Sequence, residues 1–118
     1  FTYIDDLVES IYRLSSIIPN NEGSLSQKNP DSLSTIAPWR VVNIANSKPT
    51  NLLQFINVLE KKLGLEAIKI YLGMQAGDVP KTYADVSLLK TLTKFEPKIE
   101  IEFGISNFVD WYRDYYQR

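Results

Sequence analysis

The 118-residue chain contains no cysteine and no histidine. The first absence excludes disulfides, thiol nucleophiles and thiolate metal sites together. The second removes the usual general acid–base group, every Ser–His or Cys–His arrangement, and the commonest zinc ligand. No stretch approaches ~20 consecutive apolar residues, so no membrane-spanning helix is expected. Charge of either sign is not in surplus: 13 basic and 14 acidic residues leave −1 at neutral pH. A nucleic-acid binder would gather basic residues on one face, and no such excess exists. Glycine is scarce as well. The five glycines, at 23, 64, 73, 77 and 104, form neither a dinucleotide fingerprint nor a phosphate loop. No Tyr is followed four positions later by Lys, and Gly-x-Ser-x-Gly is missing. No catalytic, cofactor-binding or metal-ligating residue is therefore expected in this chain.

What is present suits a globular domain. Hydrophobic residues make up 44% and charged residues 23%, a balance that argues against disorder. The length fits one domain with a modest core. Zero cysteines fit a reducing compartment, and the cytoplasm is the expected location. The opening Phe1-Thr2-Tyr3-Ile4-Asp5-Asp6 lacks an initiator Met and any signal-peptide character. It reads as the interior of a longer protein.

Ile4, Leu7, Val8, Ile11, Leu14 and Ile18 recur at helical spacing, which predicts an amphipathic helix over 5–17. Asp5 or Asp6 is expected to cap it. Residues 19–37, rich in Ser, Asn, Pro and Gly, read as a long surface loop. The β-branched run 41–45 has the pattern of a buried strand. Pro49 and Thr50 open a second helix whose apolar stripe is Leu52, Leu53, Phe55, Ile56, Leu59 and Leu63. Gly64 stands where a left-handed terminating residue is wanted, with Leu65 packing back on the last turn. Residues 67–72 alternate apolar and polar, as a second strand does.

Strand, helix and strand at this spacing predict an α/β fold: one right-handed βαβ unit with flanking helices. A short helix is expected over 85–93, with Leu88, Leu89 and Leu92 inward. A last helix runs to about Tyr116, with a stripe of Phe103, Ile105, Phe108, Val109, Tyr112 and Tyr116. Glu100 and Glu102 suit the positive end of that helix, and Asp110 and Asp114 suit surface pairing with Arg113 and Arg118. The aromatic group Trp111, Tyr112, Tyr115 and Tyr116 reads as packing, since few basic residues accompany it.

One segment invites a binding role. Residues 74–80 follow the second expected strand, where ligands of open α/β sheets bind. Gly77 permits close backbone approach, and Gln75 and Asp78 bring an amide and a carboxylate suited to hydroxyl donors such as a ribose. Taken locally, a plain Gly-Asp turn with exposed polar neighbours is the better account.

The order of motifs adds to this. Phe1-Thr2-Tyr3-Ile4-Asp5-Asp6, the run from Ser34 to Ser47, the run Met74 to Ser87, and Phe108-Val109-Asp110-Trp111-Tyr112 together cover nearly the whole chain. In that order they resemble the C-terminal, substrate-binding part of NAD-dependent nucleotide-sugar epimerases of the extended short-chain dehydrogenase/reductase superfamily. The likeness is greatest to the UDP-glucuronate 4-epimerases of polysaccharide synthesis. The resemblance implies that residues 1–118 are a substrate-binding domain in a Rossmann-type two-domain enzyme, commonly a homodimer. Such an enzyme epimerises a UDP-sugar by transient oxidation at C4.

It further implies that NAD and the catalytic Tyr and Lys belong to a preceding Rossmann domain, so this chain alone is not catalytic. Asp78 then helps hold the nucleotide, and Gln75 matches a position that is Gln in glucuronate epimerases and often Arg in UDP-galactose epimerases. Ala45 departs from a usual Gly and Ala76 from a common Pro, which bears on the choice of sugar. A dehydratase or decarboxylase on the same scaffold, and a stand-alone binding module, are the alternatives.

Overall fold

The computed structural model describes residues 1–19 and 32–117. Four helices follow one another: α1 (Ile4–Ser15), α2 (Leu52–Leu63), α3 (Ser87–Thr93) and α4 (Ile101–Tyr116). They fall into two compact units that share the chain by turns. The first takes Phe1–Ser47 and Tyr83–Lys98, the second Lys48–Thr82 and Ile99–Arg118. In the first unit α1 packs on α3; in the second α2 packs on α4.

The expected βαβ unit does not form. Among the described residues the fold is all-helical, with no strand and no sheet. Residues 41–45 and 67–72 carry strand-like sequences, but a strand exists only through a ladder with a neighbour. The two segments belong to different units, and neither has a ladder partner within its own. Side chains serve part of their backbone instead. Val41 N–H donates to Ser32 Oγ at 3.1 Å, and Ala67 N–H to Glu60 Oε1 at 2.8 Å. The alternating apolar residues consequently lie open to solvent, Ile68 at 96% and Ile70 at 80% exposure.

α1 starts one residue earlier than its periodicity suggests, and it is not capped by an aspartate. Its N-cap is Tyr3, which makes no side-chain cap bond. Asp5 and Asp6 occupy the first turn, where the helix dipole favours them. Asp6 is nearly buried and accepts a hydrogen bond from Lys98 N–H at 2.9 Å. Ser10 is wholly buried and returns its hydroxyl to Asp6 O at 2.7 Å. Arg13 pairs with Glu9 at 2.6 Å and lies over the Phe95 ring, 4.9 Å from its centroid. On α3, Leu89 is fully buried, while Leu88 and Leu92 are half-buried.

In the second unit, Asn51 rather than Pro49 or Thr50 begins α2, its side chain accepting from Leu53 N–H at 2.8 Å. Gly64 ends the helix at φ +71°, as the sequence predicts, and its N–H donates to Glu60 O at 2.9 Å. Leu65 does not pack back; it is 69% exposed. The buried row of α4 is Gly104, Ile105 and Val109. Asp110 pairs with Lys62 at 2.9 Å, and Arg113 donates to Leu63 O at 2.8 Å, so both bind across to α2 instead of to each other. The expected aromatic packing takes another form. Trp111 and Tyr115 stack at 5.5 Å and Tyr112 and Tyr116 meet at 4.7 Å, all on an exposed face rather than in a core.

Candidate functional site

The loop that follows α2 is anchored at its start by one carboxylate. Glu60, in the last turns of α2, accepts from Ala67 N–H at 2.8 Å and also pairs with Lys69 Nζ. Those bonds favour the ionised form of each partner. The Lys69 hydrogen bond, then the Ala67 amide, hold the Glu60 carboxyl below its ordinary value, and the Glu60 hydrogen bond raises Lys69. Residues 67–69 are thereby tied to the helix, and the chain leaves from there toward residue 73.

Gln75, Ala76, Gly77 and Asp78 then make a tight turn. Asp78 N–H donates to Gln75 O at 3.1 Å, and Gly77 sits at φ +96°. Ala76 is not among the described residues with positive φ, so the turn is of type II, which demands glycine at its third position. A Cβ on Gly77 would meet nothing within 4 Å, so the backbone angle and not space requires glycine. Gln75 and Asp78 stand at the two ends of the turn, with Cα atoms within about 7 Å by its definition. Residues 71–80 are all exposed. The three residues singled out from the sequence are thus brought together, on an open loop rather than in an enclosed pocket.

Two features have no counterpart in the sequence reading. The first is Asp85, whose carboxylate accepts from Ser87 N–H at 2.8 Å and is held below its usual value by that bond first. Asn43 Nδ2 donates to Asp85 O at 3.3 Å and Ser47 Oγ to Ala84 O at 3.1 Å, so 43–47 is stitched to the start of α3. The Asp-x-Ser spacing before an apolar run is the signal that could have found it. The second is a cleft of about 430 Å³ in the first unit, lined by Leu14, Ile17, Ile18, Pro19, Arg40 and Val42. No sequence signal marks a cleft of this kind.

Nothing here fits a dinucleotide or a metal. Gly64 terminates a helix, Gly77 completes a turn and Gly104 is buried inside α4, so none of these opens a helix N-terminus toward a pyrophosphate. Among the described residues no group of three or more acidic side chains converges on a possible ion site. No helix among them is long and apolar enough to cross a membrane.

No family model matches the chain. Individual proteins do. A "Probable UDP-glucuronate 4-epimerase" of Rhizobium meliloti is 48% identical over all of this chain and 35% of its own length. "Protein CapI" of Staphylococcus aureus is 46% identical over the same shares. "UDP-glucuronate 4-epimerase 1" of Arabidopsis thaliana is 32% identical over 98% of this chain and 26% of itself. The chain spans about a third of the length of the bacterial relatives it matches. The resemblance drawn from its ordered motifs agrees with the names these relatives carry.

Proposed function

We propose that this chain is the C-terminal, substrate-binding part of a UDP-glucuronate 4-epimerase. The observation that carries the reading is the 48% identity, along the whole chain, to a protein of that name. The loop geometry is in keeping with it. A type II turn holds a carboxylate and an amide at its two ends, and both are exposed. Asp78 would accept hydrogen bonds from the hydroxyls of the nucleotide's ribose. Gln75, able both to donate and to accept, would contact the nucleotide beside it. Gly77 keeps the turn tight enough for the backbone to approach the ligand.

Division of labour follows from what these residues are. With no histidine, no cysteine and no dinucleotide cradle, the chain grips and orients, and orientation is itself a large part of rate enhancement. NAD and the acid–base residues belong, in this reading, to a Rossmann domain supplied by the remaining length seen in relatives. The enzyme would work in the cytoplasm as a homodimer and serve polysaccharide synthesis.

The test is kinetic. In the complete enzyme, Asp78→Ala removes a charge-assisted contact worth about 1.5–3 kcal/mol. KM for UDP-glucuronate should rise by roughly 10- to 100-fold while kcat changes little. An unchanged KM would remove Asp78 from the site. Product analysis tests the reaction separately: UDP-galacturonate supports epimerisation, and a pentose or dehydrated sugar replaces it with the decarboxylase or dehydratase alternative.

A further inference from the structure

α1 is turned inside out. Its inward residues are polar, Asp6 at 5% and Ser10 at 0% exposure, and their partners are Lys98 N–H and the helix's own carbonyl. Arg13 adds a bond from Nη1 to Thr93 O at 3.4 Å, at the end of α3. These bonds fix which side of the helix meets α3. Its opposite side carries Ile4, Val8, Ile11 and Tyr12, every one more than half exposed. Positions i, i+4, i+7 and i+8 stand on one helical face, so the four form a continuous apolar stripe. Burying such a stripe is the ordinary reason for a helix to be amphipathic.

We propose that this stripe is the docking face for the part of the polypeptide that relatives possess beyond the span of this chain. The proposal rests on the functional reading that the chain works within a longer epimerase. Relatives carry about two-thirds of their length outside the matched region, which supplies an occupant of sufficient size. The dimensions also favour a covalently linked occupant over a second copy. Twelve helical residues measure about 18 Å, and a stripe roughly 10 Å wide covers on the order of 200 Å². A stable association between separate chains needs about 800 Å² from each. A tethered domain escapes that threshold because its effective concentration is high. Its contacting surface must itself be apolar, with an acceptor or donor near Tyr12 for the phenol.

Thiol labelling of the complete enzyme tests this, since the span has no native cysteine. Val8→Cys and, as an exposed reference, Asp114→Cys are alkylated under native conditions and after unfolding in urea. Labelling is read by mass on the peptide that holds each site. Docking predicts that native Val8→Cys reacts at least about 100-fold more slowly than its unfolded form, with Asp114→Cys slowed only a few-fold. Equal, fast labelling of both sites overturns the docking face. Protection that disappears on dilution to the monomer assigns the stripe to a second copy and overturns it too. Assay of the same samples with UDP-glucuronate separates the two ideas. Turnover to UDP-galacturonate with an open Val8→Cys refutes docking alone, and absence of any turnover in the unsubstituted enzyme refutes the functional reading.

Discussion

Replacing Gly77 by Ala, with Gly73→Ala as its control, isolates the backbone contribution of the turn. A methyl group added at either glycine would meet no atom within 4 Å, so steric contact with neighbours is the same for both: none. Only their backbones differ. Gly77 lies at φ +96°, beyond the left-handed well that L-residues visit, whereas Gly73 does not have positive φ. A left-handed conformation costs an L-residue about 1–2 kcal/mol. At Gly73 the same change should be neutral or stabilise by about 0.4–1 kcal/mol, by restricting the unfolded chain.

The loop is exposed, so the Gly77→Ala chain has two outcomes. If the turn is kept, unfolding in urea shows a loss of about 1–2 kcal/mol. If the turn opens, stability is spared and the 75–78 hydrogen bond is lost, with the ends of the site moving apart. KM for UDP-glucuronate then rises by roughly 5- to 30-fold, the affinity equivalent of that strain. Denaturation and steady-state kinetics on both variants decide. Identical behaviour of Gly77→Ala and Gly73→Ala, in stability and in KM alike, would refute the reasoning.

Leu89→Ala should destabilise the protein by about 2–5 kcal/mol, because the side chain is fully enclosed and its removal leaves a cavity; a urea-unfolding midpoint within error of the parent would contradict that packing. The Glu60 anchor should respond to pH at both ends of the scale. Glu60 is held below its ordinary 4.5, so its contribution is present above that value and is lost as pH falls through the lower folded one. Lys69 is raised above 10.5, so its contribution is complete below 10.5 and is lost as pH rises through the higher folded value. Amide exchange at Ala67, corrected for the intrinsic pH dependence, should accelerate below about pH 4 and not between pH 5 and 9. A flat protection profile through pH 3 would mean the bond to Glu60 does not hold the loop.

Helices are legible wherever periodicity and a terminating residue coincide. Gly64 is the plainest case: its place after Leu63 predicts the left-handed cap that ends α2. The caps at the other ends are harder, because Asn51 competes with Pro49 and Thr50, and only geometry shows whose oxygen reaches the Leu53 N–H. The strands fail for a different reason. Alternation in 67–72 records which side chains would share a face, but not whether a neighbour exists to complete the ladder. In α1 the periodicity reveals the apolar stripe but not the direction it faces. Asp6 and Ser10 look like solvent-facing residues until Lys98 N–H, 92 positions away, is seen to bind the carboxylate. Of the candidate site, the turn and its three residues are visible in Gln-Ala-Gly-Asp, while the anchor from Glu60 spans a fold in the chain that no local pattern encodes.

The alternation of the chain between its two units limits how this polypeptide can be divided. Because the backbone passes from one to the other after Ser47, after Thr82 and again after Lys98, no single cut releases either unit whole. A truncation at residue 82 would strip α1 of α3 and α2 of α4 in one stroke. Ribosomal synthesis meets the same condition. Neither helix pair is complete until the final stretch has emerged, so the early halves of both must wait, unpaired, for partners made last.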